Sequence, residues 1–231
     1  MGNQREGIVI AIDGPSGVGK STVARLLAGR LGFQYIDTGA MYRALALLAR
    51  QRGVSSEEPE DLARLGIEMD LQYTDGSEQT RILLSGQDVT DDLRKPGIGD
   101  DASRLSRFPE VRRVLVEKQR LLGKRGSVVM EGRDIGSVVF PDADLKVFLD
   151  ADVEERVQRR RLQWKRKGIE VSRDKLLEEI QGRDARDQNR KVAPLKVPEG
   201  AFKIDTTRLS QNEVLDRILA RLESSTSQRS S

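Results

Sequence analysis

The 231-residue chain is long enough for one α/β domain carrying a small appendage and too short for two large domains. It contains no cysteine and no histidine, which excludes disulfides, thiolate metal sites and imidazole base catalysis, and leaves oxygen ligands, best suited to Mg2+, for any metal. Lys+Arg 40 stand against Asp+Glu 37, a net charge of +3, so the bulk balance argues against a dedicated nucleic-acid coat. No apolar run approaches the roughly 18 residues of a membrane span, and the start lacks the apolar core of a signal peptide. A cytoplasmic protein without membrane or nucleic-acid partners is the expectation.

In chain order, Ile8 to Ile12 is an unbroken apolar run rich in β-branched residues, as a strand buried on both faces requires. A helical stripe of Val23, Leu26, Leu27 and Leu31 follows and ends at Gly32. Phe33 to Ile36 predicts a second strand, and Met41, Leu45 and Leu48 a helix closing near Gly53. Strand, helix, strand is the rhythm of a parallel sheet. Between Ile67 and Val89 the rhythm gives way to alternation, with turn signals at Asp75-Gly76 and near Gly86, which predicts a small antiparallel insert. The α/β rhythm resumes with Pro109 in the first turn of a helix, strands at Val128–Met130 and Leu145–Leu149, and Asp152 with Glu155 opening a very basic helix. Further elements are expected from Ser172, over Ala201–Ile204, and in a last helix reaching Leu222. Residues 223–231 are Ser-rich and read as an unstructured tail.

The chemistry concentrates in Gly14-Pro15-Ser16-Gly17-Val18-Gly19-Lys20-Ser21, a full G-x-x-x-x-G-K-[ST] run between a strand and a helix. Its glycines let successive N–H groups turn toward a phosphate, and the following helix adds its positive end. Lys20 is positioned for the β- and γ-phosphates of ATP, and the Ser21 hydroxyl for Mg2+, the expected cofactor. No N-K-x-D guanine signature occurs.

The second strand ends in Asp37-Thr38-Gly39-Ala40-Met41-Tyr42-Arg43. Thr38 and Arg43 are readable as holding a second anion, with a helix cap and a solvated surface residue as the alternative. Glu131-Gly132-Arg133-Asp134 closes another strand, at the carboxyl edge where open α/β sheets bind ligands. Arg183, Arg186 and Arg190, interleaved with Asp184 and Asp187, are open to two readings: an anion site, or a helix face of surface ion pairs.

These segments, with Gly132-Arg133-Asp134-Ile135-Gly136-Ser137-Val138-Val139-Phe140-Pro141-Asp142 and the run Arg183 to Arg190, closely resemble the bacterial cytidylate kinases, from about Ile8 to Leu222. The resemblance implies a three-layer P-loop kinase fold with a central parallel sheet. It also implies a lid at about 155–170 and an inserted antiparallel β/α nucleoside-monophosphate domain at about 66–108. It implies ATP and CMP or dCMP as substrates, with Gly14 to Thr22, Arg156 and Arg160 on ATP. Thr38, Arg43, Arg133 and Arg190 would surround the CMP phosphate, with Tyr42 beside them. Ser103, Arg112 and Asp134 would read the cytosine, and Arg183 and Asp187 the sugar hydroxyls. Lys20, Arg133, Arg159 and Arg190 would carry the transfer. Ser21 stands where the family often has glycine, which restores the general phosphate-loop pattern. The implied product pair is ADP with CDP or dCDP; a monomer is expected separately, because no exposed apolar helix face suggests an obligate partner.

Two other readings remain in view. A shikimate or dephospho-coenzyme A kinase would use the same loop. From another class, the basic helix Arg156, Arg159, Arg160, Arg161, Lys165, Arg166, Lys167 could mark a nucleic-acid module, although Glu154 and Glu155 dilute it and only Trp164 is aromatic there.

Overall fold

The computed structural model describes residues 7–74, 80–124 and 126–229. In chain order the elements are β1 (Val9–Asp13), α1 (Lys20–Leu31), β2 (Gln34–Asp37), α2 (Thr38–Arg52), α3 (Pro59–Glu68), β3 (Leu71–Thr74), β4 (Arg81–Leu84) and β5 (Gln87–Asp88). They continue with α4 (Ile98–Leu105), α5 (Pro109–Gly123), β6 (Val128–Gly132), β7 (Leu145–Asp150), α6 (Val153–Arg166), α7 (Arg173–Asn189), β8 (Phe202–Asp205) and α8 (Gln211–Arg229). No helix among the described residues is long and apolar enough to cross a membrane. The chain divides into two compact units, one of 1–35 with 126–231 and one of 36–125.

The first unit is built on a five-stranded sheet of order β2-β6-β1-β7-β8, with the β1–β6, β1–β7 and β7–β8 pairings all parallel. All five residues of β1 are fully enclosed, which its unbroken apolar run demands. Ile10, Ile12, Val129, Val147 and Leu149 of the strands pack with Val23 and Leu27 of α1 and Val214 and Ile218 of α8. Each such side chain contributes about 1.5–3 kcal/mol of transfer free energy. Gly32 ends α1 in the left-handed region (φ 68°), as its position predicts.

A separate small cluster of Val157, Trp164, Leu176 and Ile180 holds α6 against α7. Ser172 caps α7 by accepting from the Lys175 amide, whereas Asp152 stands at the head of α6 without a side-chain cap bond. Its own amide instead donates to Thr207 Oγ1 at 2.9 Å. The Ser-rich segment predicted to lack structure continues α8 through Arg229. Once a helix is nucleated each added residue costs little, and no glycine or proline interrupts it.

The second unit holds the three-stranded antiparallel sheet β3-β4-β5. Ser85 and Gly86, both at positive φ, form the two-residue turn between β4 and β5, the geometry that suits a twisted hairpin. The Asp75-Gly76 signal lies outside the described residues. Leu45, Leu62, Met69, Leu84, Leu93, Leu105 and Leu115 form this unit's core. Two helices, α3 and α4, stand on either side of the alternating stretch Ile67 to Val89, in segments to which the sequence reading gave no element. Pro59 starts α3 with Glu60 and Asp61 in its first turn, a helix start whose signal was present.

Candidate active site

The loop Gly14 to Gly19 turns from β1 into α1. Gly14 has φ 149°, and a Cβ there would stand 2.1 Å from the Leu149 carbonyl oxygen, so only glycine lets the loop cross β7 so closely. Lys20 opens α1 and is buried; its Nζ donates to the carbonyls of Gly14 at 2.8 Å and Pro15 at 2.6 Å, which curls the side chain across the loop. Burial, then the fields of Arg133 and Arg183, hold the Lys20 pKa well below the usual lysine range, against the pull of Glu131 and Asp13.

Asp13 closes β1 completely buried. Its two oxygens accept from the amides of Ile135 at 2.8 Å and Gly136 at 2.7 Å, where a wide π turn, Ile135–Val139, follows β6. Burial pushes its carboxyl up to about 6, the two amides oppose that rise, Asp134 adds to it and Lys20 subtracts. The sheet register sets Asp13 beside Gly132, which brings the acid of one strand to the turn carrying Arg133 and Asp134.

Arg133 Nε donates to Asp187 Oδ2 at 2.9 Å, and Arg190 Nη2 lies 3.7 Å from Asp134 Oδ1. Burial raises the Asp187 carboxyl, but the combined field of Arg133, Arg183 and Arg190 outweighs it and holds the group below the usual carboxylate range. The strand end after β6 and the end of α7 therefore meet in one buried cluster of guanidinium and carboxylate groups. Arg190 is not on the helical face that its spacing with Arg183 and Arg186 suggested. It is extended (φ −64°, ψ 140°) just past α7, and its Nε donates to the Ala193 carbonyl at 2.5 Å.

The helix α6 brings Arg156 and Arg159 to the phosphate loop, where they donate to the Ser16 and Val18 carbonyls. Arg160 turns elsewhere, to Gln163 Oε1 and over the Trp164 ring. The basic helix is also threaded with acids: Arg156 pairs with Asp184, Arg159 with Glu155 and Arg160 with Glu179.

The second unit carries the remaining candidates. Asp37 caps α2 by accepting from the Ala40 amide, which leaves Thr38 as the first helical residue, buried. Arg43 returns one turn later to pair with Asp37 at 2.6 Å, and the Tyr73 hydroxyl donates to the Asp37 carbonyl at 2.7 Å. Arg112, 3% exposed, lies over the Tyr42 ring and donates to the Ser106 carbonyl, while the Ser106 hydroxyl donates to the Ser103 carbonyl. Tyr42, Ser103 and Arg112 thus share one buried neighbourhood.

Among the described residues no cluster of three or more Asp or Glu could by itself cage a metal. The donors fit a magnesium ion that arrives with a triphosphate: the Ser21 hydroxyl at the mouth of the loop, with the buried Glu131 carboxylate near enough to act on Lys20. Glu131 also accepts from the Tyr35 hydroxyl at 2.6 Å. Asp13, Glu131, Asp184 and Thr206, which the motif reading did not assign, also make contacts within this site. The first three stand inside or beside quoted motifs, but nothing in spacing reveals which acid is enclosed.

Residues 10–224 match the family model described as cytidylate kinase. The cytidylate kinase of Caldanaerobacter subterraneus subsp. tengcongensis is 48% identical over 219 residues, covering 95% of this chain and 96% of its own. That of Geobacter sulfurreducens is 47% identical over 214 residues, covering 93% and 92%, and that of Stutzerimonas stutzeri 49% over 215 residues, covering 92% and 93%. The match takes in the phosphate loop, the Arg133–Asp134 turn, the end of α7 and the whole of the second unit, and on that ground the chain belongs to the cytidylate kinase family.

Proposed function

We propose that the protein transfers the γ-phosphoryl group of ATP to CMP or dCMP, giving ADP and CDP or dCDP. The observation that carries this reading is the convergence of Arg133, Arg183 and Arg190 on the buried Asp187, in the same unit as a complete phosphate loop. Three guanidinium groups around one carboxylate leave the cluster net positive, and guanidinium groups recognise phosphate oxygens with the same charge-assisted hydrogen bonds they make to carboxylates. Family membership adds cytidine to that chemistry.

The acceptor phosphate is already anionic near neutral pH, so no base is needed, which suits a chain without histidine or cysteine. Catalysis then consists of alignment and charge neutralisation. Gly14 to Thr22 receive the triphosphate, and Lys20 leaves its loop carbonyls to meet the transferring group. Magnesium, when bound, neutralises phosphate charge, and Ser21 would hold it. Thr38, Tyr42, Arg43, Arg133 and Arg190 take the acceptor phosphate, Ser103, Arg112 and Asp134 the base, and Arg183 and Asp187 the sugar. The acids threaded through α6 support this over polynucleotide binding, because its forward arginines are already paired. We place the enzyme in the cytoplasm as a monomer.

An ADP-release assay with CMP, dCMP, UMP, AMP, shikimate and dephospho-coenzyme A tests the assignment. Fastest turnover with CMP or dCMP is expected, and equal rates across the panel would sink it.

A further inference from the structure

A trans peptide unit presents its C=O and N–H in opposite directions. A loop that turns its N–H groups inward toward phosphate therefore turns carbonyls outward, and those carbonyls need donors of their own. In this loop four carbonyls have them. Gly14 and Pro15 accept from Lys20, while Ser16 O accepts from Arg156 Nη1 at 3.2 Å. Val18 O accepts from Thr206 Oγ1 at 3.0 Å and from Arg159 Nη1 at 3.4 Å. The Ser16 and Val18 carbonyls flank Gly17, where a Cβ would stand 3.1 Å from Arg156 Cβ, so the loop rests directly on α6.

Both arginines are themselves held from behind. Arg156 donates from Nη1 to Asp184 Oδ2 at 2.5 Å and from Nε to the Ala151 carbonyl at 3.2 Å. Arg159 donates to Thr206 Oγ1 at 3.0 Å, to the Thr206 carbonyl at 2.6 Å and to Glu155 at 2.8 Å. Thr206 is 2% exposed and its hydroxyl has both roles filled, accepting from Arg159 and donating to Val18.

A cationic donor on a carbonyl draws electron density to the oxygen and strengthens the N–H at the other end of the same peptide, by ~10–30% per bond in such chains. The N–H groups concerned belong to Gly17 and Gly19. We propose that Asp184 and Thr206 are positioning residues for phosphoryl transfer, holding Arg156 and Arg159 against the outer carbonyls of the phosphate loop so that Gly17 and Gly19 become stronger donors to the triphosphate. Arg156 and Arg159 then support the loop from behind. The inference rests on the reading of Gly14 to Ser21 as the triphosphate cradle and is independent of the acceptor's identity.

Asp184→Asn tests one support. Asp184 Oδ1 has no hydrogen-bond partner among the described residues, so the amide nitrogen can take that place while the charge is lost. Thr206→Val removes the hydroxyl at constant shape, and Thr206→Ser restores it. Calorimetric titrations of each full-length variant with ATP, inorganic triphosphate, adenosine and CMP separate phosphate from nucleoside recognition, and circular dichroism checks folding. Asp184→Asn and Thr206→Val are expected to weaken ATP and inorganic triphosphate by roughly tenfold, the size of one charge-assisted hydrogen bond, with adenosine and CMP within about twofold. Thr206→Ser should bind like wild type. Unchanged triphosphate affinity in Asp184→Asn and Thr206→Val overturns the proposal, as does an equal loss for CMP. Because ATP and inorganic triphosphate are titrated without acceptor, a wrong acceptor assignment leaves those results unaltered.

Discussion

Lys20 is anchored by the carbonyls of Gly14 and Pro15, inside the loop it serves. Its charge matters most as negative charge accumulates on the transferring group, so Lys20→Ala should lower kcat by at least about 100-fold, checked in single-turnover assays. Asp13 makes a prediction about pH. Its ionised form accepts from two amides and so fixes the turn carrying Arg133 and Asp134; protonation gives up one of those bonds. Activity limited by that turn should therefore rise through pH 6, and Asp13→Asn should flatten the kcat/KM profile for CMP there. Stability moves the other way. A carboxyl raised in the folded state takes up a proton between about 4 and 6, so the fold loses on the order of 3 kcal/mol as pH climbs through that window. Denaturant titrations at pH 4.5 and 7.5 check it. The motifs and the family resemblance made Lys20, Arg133 and Asp187 legible as candidates, and the structure places Arg133 against Asp187. Asp13 and Thr206 were not legible, because their roles follow from which strand ends lie side by side, a property of the sheet order rather than of any local run.

The α6–α7 hairpin has a core of four buried side chains, so each contributes a large share of its packing. Leu176→Ala leaves a cavity there worth roughly 2–5 kcal/mol, with few neighbours able to collapse into it. Hydrogen exchange should quicken across α6 and α7 while the amides of β1 and β6 keep their protection. Among the elements, the parallel strands were legible because Ile8 to Ile12 and Leu145 to Leu149 are apolar without interruption, a pattern few alternatives share. The helices α3 and α4 were not. Ile67 continues the apolar spacing of α3 onto its exposed side, where it mimics the first residue of an alternating strand. Gly97 at the head of α4 and its acidic first turn offer no apolar stripe long enough to mark a helix. Tertiary burial of Ile98, Ala102 and Leu105 decides that segment, and periodicity over so few residues does not.

At the level of the whole molecule, charge is high but locally settled, with 40 basic residues against 37 acidic ones and many of them paired. Specific small anions, rather than polyanions, should therefore stabilise the fold. Saturation with ATP or CMP at about a hundredfold its Kd adds about 2.7 kcal/mol and should raise Tm by roughly 5–10 °C. RNA of equal phosphate concentration should leave Tm unchanged in the same calorimetric scans.

The chain's single tryptophan, Trp164, lies in the α6–α7 core with the cations of Arg160 and Lys167 on its ring. The molecule thus contains its own optical label. Indole emission arises from that hairpin alone, and a change in either cation's distance alters it. Rapid-mixing fluorescence of the unmodified enzyme can time the hairpin's movement against product formation, and so separate a mechanical step from a chemical one without attaching a dye.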